Sequence, residues 1–171
     1  TIVPYKKIEI YKKTSKTLSF DAKDINIDHL GYIINEDELV KATTKIVLSN
    51  KNLSYILNDS INNHSLDANI ISDYKDVDSV VQSKNYVSKD YNQTAININI
   101  IHKNSNNNIP RQIFYNNEIL GFLPVNEYCY NLIWSMPNKL FKELSFDNIR
   151  KCKILIEDRA NFILGDIKEI N

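Results

Sequence analysis

The chain has 171 residues and a mass of 19.9 kDa, and 43% of its residues are hydrophobic. This length and composition suffice for one domain with its own core and exclude two large domains. Lys plus Arg and Asp plus Glu each number 21, so the formal charge is zero and the sequence pI is about 6.8. This balance excludes a protein that binds nucleic acid or anionic lipid through a basic surface.

Two short sequence stretches predict the elements of the first half. Alternating apolar residues predict a strand over residues 5–11, with residues 17–20 as its hairpin partner. Asn35 followed by three acidic residues is typical of a helix start, so a helix is predicted over residues 36–48. The side chains expected to point inward from this helix are Leu39, Ala42, Ile46 and Val47. Beyond it we expect a short strand over residues 68–71 and an acidic loop over residues 72–78.

The second half has a clearer strand pattern. Alternation and turn residues predict four strands, at residues 96–101, 111–115, 119–125 and 128–135. Because the links between the last three are very short, these three form an antiparallel meander. Two helices are then expected at residues 138–144 and 148–157, and a final strand at residues 160–167. The predicted class is α+β with one dominant sheet.

Glycine and cysteine are both scarce. The three glycines, Gly31, Gly121 and Gly165, stand too far apart for a phosphate-binding loop, so neither a dinucleotide fingerprint nor a P-loop is present. Cys129 and Cys152 lack metal-ligand spacing and are expected to be reduced thiols. No long apolar segment or signal peptide is found. We therefore expect a soluble, cytoplasmic protein with at most peripheral membrane contact.

No set of side chains in the sequence points to metal or hydrolytic chemistry. His29, His64 and His102 are scattered, and none has a Cys, Asp or Glu at ligand spacing on its own predicted element. No Gly-x-Ser-x-Gly motif is present. The pair Gly165-Asp166 is interpreted as a turn at the end of a strand, because no helix-forming segment follows it. We assign neither a metal site nor a catalytic residue.

A group of aromatic residues falls on neighbouring predicted strands: Phe122, Tyr128, Tyr130 and Trp134. They share one sheet, so they either form the floor of an apolar pocket or pack as ordinary core. Core packing is the favoured interpretation, and the pocket stays open as the alternative.

Three motifs follow each other along the chain: FDA at 20–22 with LGYIIN at 30–35, DYNQTAI at 90–96, and GFLPV at 121–125 with NLIWS at 131–135. In order and spacing they resemble motifs of the flavin-dependent aromatic hydroxylases of ubiquinone biosynthesis, which are para-hydroxybenzoate hydroxylase-like monooxygenases. The third motif is the most specific, and the resemblance covers nearly the whole chain.

The resemblance implies a single substrate-binding-type domain over residues 1–171, with one mainly antiparallel sheet, helices on one face, and a pocket above the flavin ring. FAD is the cofactor of that family. Asp73 and Gln93 correspond to its cofactor side. The substrate-side residues implied by the resemblance are Leu120, Phe122, Pro124 and Trp134.

Several departures from the family pattern lie on the flavin side. Asp37 stands where the family typically has an Arg, and Tyr74 and Gln82 replace a Gly and an Arg of its middle FAD motif. A Tyr side chain fills space that a closely approaching cofactor needs. The family's GxGxxG unit and later Gly-Asp motif are also absent. We therefore expect this chain to bind no FAD by itself.

Two functional hypotheses follow from the resemblance. The first is a fragment or degenerate relative of a ring-hydroxylating FAD monooxygenase that acts on a prenylated aromatic or quinone precursor. The second is a non-enzymatic accessory subunit that binds such a compound or a partner protein. The flavin-side face should be apolar and exposed, and is expected to pair with a missing FAD-domain chain or a second copy. Residues expected there are Ile33, Ile34, Leu120, Phe122 and Trp134.

Overall fold

The computed structural model describes residues 2–52, 89–144 and 149–171. The first half contains β1 (Ile2–Tyr5), β2 (Lys7–Lys12), β3 (Ser15–Asp21), a 3-10 turn (Ala22–Ile25), β4 (Gly31–Ile34) and α1 (Glu36–Ser49). The second half contains β5 (Gln93–His102), β6 (Arg111–Tyr115), β7 (Glu118–Asn126), β8 (Cys129–Pro137), α2 (Asn138–Leu144), α3 (Ile149–Leu164) and β9 (Ile167–Ile170). The predicted α+β class is confirmed.

The chain divides into two compact units, one of residues 1–40 and 92–171 and one of residues 41–91. The sheets, the core and the site described below all belong to the first unit. A single domain over residues 1–171 stays a prediction.

The main sheet has seven strands in the order β3-β2-β6-β7-β8-β5-β9. Its neighbouring strands are antiparallel except β2 and β6, which are parallel. The meander of β6, β7 and β8 is confirmed. The position of β5 differs from chain order, because β5 pairs with β8 rather than β6. The loop over residues 103–110 is long enough to cross the sheet, so adjacency along the chain does not require adjacency in the sheet.

The strand predicted over residues 5–11 is divided by a bend at Lys6. Tyr5 ends β1, which pairs with β4 in a separate two-stranded sheet. Lys7 begins β2, which forms the predicted hairpin with β3. Alternation alone cannot show that a strand changes sheets at a bend.

Helices α2 and α3 cover one face of the main sheet. The buried residues of this core come from both helices and from the inward positions of the strands, and include Ile113, Leu120, Phe122, Tyr130, Trp134, Leu144, Ile156 and Ala160. The interpretation of the aromatic residues as core is confirmed for Phe122, Tyr130 and Trp134. Tyr128 instead precedes β8 and is exposed.

Helix α3 is longer than predicted, and the strand expected over residues 160–167 is wrong. Ile156, Ala160 and Ile163 follow a helical spacing and are buried, so they keep the segment helical against the sheet. Gly165 ends the helix with φ +63°, and its N–H donates to the Asn161 carbonyl at 2.8 Å. The turn at Gly165-Asp166 therefore follows a helix, not a strand.

Helix α1 begins as predicted. Asn35 caps it, because the Glu38 N–H donates to Asn35 Oδ1 at 3.2 Å. The inward orientation expected for Leu39, Ala42, Ile46 and Val47 is wrong, since no side chain of α1 is buried. The predicted strand at 68–71 and loop at 72–78 lie outside the described residues.

Candidate functional site

The main sheet face opposite α2 and α3 carries a groove. Side chains that point away from the core alternate with core residues along β5, β7 and β8, and the two-stranded sheet of β1 and β4 forms the opposite wall. The groove has a volume of about 560 Å³. Its lining consists of Val3, Ile33, Ile34, Asn35, Glu36, Asp37, Glu38, Asn97, Asn99, Leu123, Val125, Asn131 and Ile133.

The groove floor combines an apolar area with a row of amides. Leu123 and Val125 alternate along β7, and Ile133 lies on β8. Asn131 Nδ2 donates to Asn97 Oδ1 at 2.5 Å and to Asn99 Oδ1 at 3.0 Å. Each amide keeps further donor or acceptor capacity. The floor is therefore able to contact an apolar ring and to hydrogen-bond a polar substituent on it.

The groove rim is acidic. Asn35 and the first turn of α1 place Glu36, Asp37 and Glu38 along it, where the positive end of the helix dipole stabilises carboxylates. No Lys or Arg belongs to the lining formed by the described residues. Asp37, which stands where the resembled family has Arg, is thus part of the rim.

The substrate-side residues predicted from the resemblance lie on the other face of the sheet. Leu120, Phe122, Pro124 and Trp134 are all buried on the side that packs against the helices. Their role in substrate binding stays a prediction, and none of them lines the groove. The exposed patch expected at Leu120, Phe122 and Trp134 is corrected, because these residues are core.

Sequence reasoning missed the floor residues of the groove because both faces of β7 are apolar. In the segment Glu118–Asn126 the alternation does not show which set of residues faces the helices. The signal that could have found the floor is β5, where Asn97 and Asn99 alternate with isoleucines and mark the polar face. Pairing β5 with β8 then places Ile133 and Asn131 on that face.

The predicted cofactor-side residues are not brought together by the described part of the chain. Gln93 is exposed at the start of β5. Asp73, Tyr74 and Gln82 lie outside the described residues. The assignment of Asp73 and Gln93 stays a prediction.

A buried polar cluster lies on the helix-covered side of the sheet, apart from the groove lining. Glu9 Oε2 accepts from Arg111 Nε at 3.0 Å and from the Tyr11 hydroxyl at 2.8 Å. The Tyr130 hydroxyl donates to the Ile109 carbonyl at 2.9 Å, and Arg111 contacts that hydroxyl. Burial raises the pKa of Tyr130 to about 12 although the Arg111 charge opposes this. The cluster holds β2 to β6 and β8, and we assign it a structural role.

Residues 2–52, 89–144 and 149–171 contain neither a metal-binding cluster nor a helix suited to span a membrane. Within these ranges no group of three or more His, Cys, Asp or Glu side chains is placed to hold a metal ion. No helix within them has the length and apolar character needed to cross a bilayer. Burial raises the pKa values of the free thiols Cys129 and Cys152.

Comparison with known proteins gives a likeness of fold. No protein-family model matches the chain, and no match was found among curated proteins. Among solved structures, it is similar to PqsL from Pseudomonas aeruginosa, described as a probable FAD-dependent monooxygenase, with a TM-score of 0.63 and 12% identity. The same values hold for PqsL in complex with 2-aminobenzoylacetate and for a PqsL variant.

The match to PqsL covers 100% of this chain and 54% of the complexed PqsL chain, so this chain spans about half the length of its structural neighbour. At this identity the likeness establishes the fold. It supports the prediction of a substrate-domain-like α+β architecture with one large sheet.

Proposed function

We propose that this chain forms the substrate-binding part of an FAD-dependent aromatic monooxygenase, and that its groove receives the aromatic ring. The observation that carries the proposal is the groove itself. It lies on the sheet face that the helices leave open, and it joins an apolar floor to amides that can orient a ring substituent. The fold shared with PqsL, which was crystallised with an aromatic amino compound, supports the assignment.

The described residues do not fit FAD as a whole. The cofactor carries a pyrophosphate, which needs glycine-rich backbone or basic side chains. The groove rim instead presents Glu36, Asp37 and Glu38, and the part of the lining that the structure describes contains no Lys or Arg. The three glycines of the sequence stand singly. We therefore derive no step of flavin chemistry from this chain and assign it the substrate side alone.

Within that function, the substrate we propose is a prenylated aromatic or quinone precursor of the ubiquinone type. The support is the sequence resemblance carried by GFLPV and NLIWS, together with the apolar side chains Leu123, Val125 and Ile133. A long hydrocarbon substituent needs such an apolar surface. The partner that supplies flavin would be an FAD-binding chain or segment outside the described residues.

A titration with a short-chain prenylated phenol, followed by methyl NMR, tests the proposal. We expect shifts at the Val125 and Ile133 methyl groups and none at the core residue Leu132. Ile133→Lys should abolish binding. Phe114→Lys is the matched control, since Phe114 is a similarly exposed side chain outside the groove lining. Shifts confined to the core, or equal effects of both substitutions, would refute the groove as the binding site.

A second candidate is a non-enzymatic subunit that binds the same class of compound. Asp37 favours it, because a carboxylate at the rim repels the flavin phosphates that an Arg would attract. Purification of the complete gene product distinguishes the two candidates. A yellow protein that contains FAD supports the monooxygenase, whereas a colourless protein that still binds the phenol supports the accessory subunit.

A further inference from the structure

Strand β3 (Ser15–Asp21) forms one outer edge of the main sheet. It pairs with β2 on one side, and no described strand pairs with its other side. All of its residues except Asp21 are exposed. An open strand edge is a template for pairing with a further strand.

The alternation of hydrogen-bonded and non-bonded residue pairs in the β2–β3 hairpin identifies which backbone groups of β3 point outward. The Ala22 N–H donates to the Lys6 carbonyl at 2.8 Å, so this pair is hydrogen-bonded. Phe20 lies opposite Ile8 and Leu18 lies opposite Ile10, two and four residues before Ala22, so these pairs are of the same type. In an antiparallel ladder, bonded and non-bonded pairs alternate. The N–H and C=O groups of Ser19 therefore face the free edge of the sheet.

The segment around this edge exposes four large apolar side chains. Leu18 and Phe20 are each 48% exposed, and Ile25 and Ile27, just beyond the strand, are 62% and 45% exposed. Leu18 and Phe20 lie on the same face of the sheet, two residues apart. Clustered exposed apolar side chains indicate an interface.

Charges of opposite sign mark the two ends of the same strand. Lys12 and Lys13 lie at the hairpin turn that precedes β3. Asp21, Asp24 and Asp28 lie at and beyond its other end, where they outnumber the one basic residue among them, Lys23. An antiparallel second copy would bring the basic end of one strand beside the acidic end of the other, so the edge is complementary to itself.

We propose that β3 is a self-association surface on which two copies of the chain pair edge to edge, antiparallel, about a two-fold axis at Ser19. In this register Ser19 bonds to Ser19 of the second copy through both of its outward backbone groups. Leu18 lies opposite Phe20 of the second copy on the open face, in the closer, non-bonded type of pair. The two main sheets become continuous. The proposal does not depend on the proposed function.

The contact is small, because it rests on one strand and a few apolar side chains. Stable protein interfaces bury at least about 1,000 Å², so we expect a reversible dimer that forms at high concentration. Its ionic part should weaken with salt, since the end charges are exposed and screened.

Sedimentation equilibrium of the 171-residue chain, from about 10 μM to about 1 mM, tests the proposal. The mass should rise from 19.9 kDa towards twice that value. Ser19→Pro removes the N–H at the axis and should weaken dimerisation about tenfold or more, since two intermolecular hydrogen bonds are lost. Ser19→Thr, which keeps the N–H, should dimerise like the wild type.

A second variant covers the case in which Ser19→Pro does not fold. Phe20→Lys changes a half-exposed side chain and should also weaken dimerisation. A constant monomer mass for the wild type would overturn the proposal. Dimerisation that both variants leave unchanged would also overturn it, since association would then use another surface or a different partner strand.

Discussion

Arg159 and Glu118 form a two-pronged ion pair inside the core. Arg159 Nε lies 2.9 Å from Glu118 Oε2 and Nη2 lies 2.8 Å from Oε1, with both side chains buried. Trp134 Nε1 donates to the same carboxylate at 2.9 Å, and the guanidinium lies 4.8 Å from the Tyr115 ring centroid. The pair joins the start of β7 to α3.

Removal of one partner of this pair should be costly, because the other charge stays buried. We expect Arg159→Ala to lower the free energy of unfolding by about 3–5 kcal/mol. Glu118→Gln combined with Arg159→Met should recover most of this loss, since Gln still accepts from Trp134. Urea denaturation measures both effects. Arg150→Ala, at an exposed position of the same helix, is the control and should change stability little.

Glu9 should make stability depend on pH in the acid range. Burial alone would raise its pKa, but hydrogen bonds from Tyr11, Lys16 and Arg111, together with the Arg111 charge, lower the pKa to about 2. The stabilisation is therefore present above the unfolded pKa of about 4.5 and is lost as pH falls towards 2. The difference in the free energy of unfolding between the wild type and Glu9→Gln should therefore disappear as the pH falls from about 4.5 towards 2. A gap independent of pH would contradict this.

His102 should add a second pH effect at higher pH. Its ring is fully buried and stacked on Tyr130 at 5.0 Å, and neither ring nitrogen has a well-formed hydrogen bond within the described ranges. Burial lowers its pKa, an interaction with the Asn104 backbone opposes this in part, and the Arg111 and Lys168 charges act in the same direction as burial. Below about pH 6.5 the imidazole is protonated in the unfolded state but not in the folded state, so the free energy of unfolding decreases as the pH is lowered.

His102→Phe keeps the stacking and removes this titration. We expect a smaller loss of stability between about pH 8 and pH 5 than in the wild type. Equal pH profiles for wild type and His102→Phe would show that His102 protonates without cost.

Gly165 and Gly121 provide a matched pair of glycine substitutions. A Cβ at Gly165 would lie 2.8 Å from Asn104 Oδ1, on a backbone with φ +63°. We expect Gly165→Ala to destabilise the protein by about 1–2 kcal/mol in thermal or urea unfolding. At Gly121 the nearest atom is 3.7 Å away. Gly121→Ala should be neutral or slightly stabilising, and an equal loss at both sites would refute the backbone argument.

Flavin binding can be tested on the 171-residue chain itself. We expect no fluorescence quenching at low micromolar FAD, because the groove rim is acidic and its described residues include no basic side chain. Riboflavin, which has no pyrophosphate, should bind at least as well as FAD. A dissociation constant for FAD in the low micromolar range, which corresponds to a binding free energy of about −8 kcal/mol, would contradict this.

The fold was largely predictable because most elements carry a local signal. The meander follows from short turns, and α1 follows from Asn35 and the acids after it. The failures concern tertiary context. Residues 160–164 contain apolar side chains in a segment that suits either a helix or a strand, and only packing beside the buried Arg159 decides for the helix. The placement of β5 depends on a crossover that no local pattern encodes.

The residues that line the groove were not predicted from the sequence. The residues assigned to the substrate side from the resemblance, among them Leu120, Phe122 and Trp134, are buried on the helix-covered face, and their role in substrate binding stays a prediction. A strand with apolar residues on both faces gives no sign of which face is covered. Knowledge of the β5–β8 register, with Ile98 opposite Leu132, would have shown which face of these strands is covered.

The parallel pairing of β2 with β6 has a consequence for how the chain folds. Glu9 and Arg111, which face each other across it, are 102 residues apart in sequence. Such a distant contact raises the contact order and slows folding, because the entropy of closing a long loop is lost before the contact forms. During synthesis the hairpin of β2 and β3 must wait for β6. Its apolar side chains Leu18 and Phe20 are then available to chaperones or to other nascent chains.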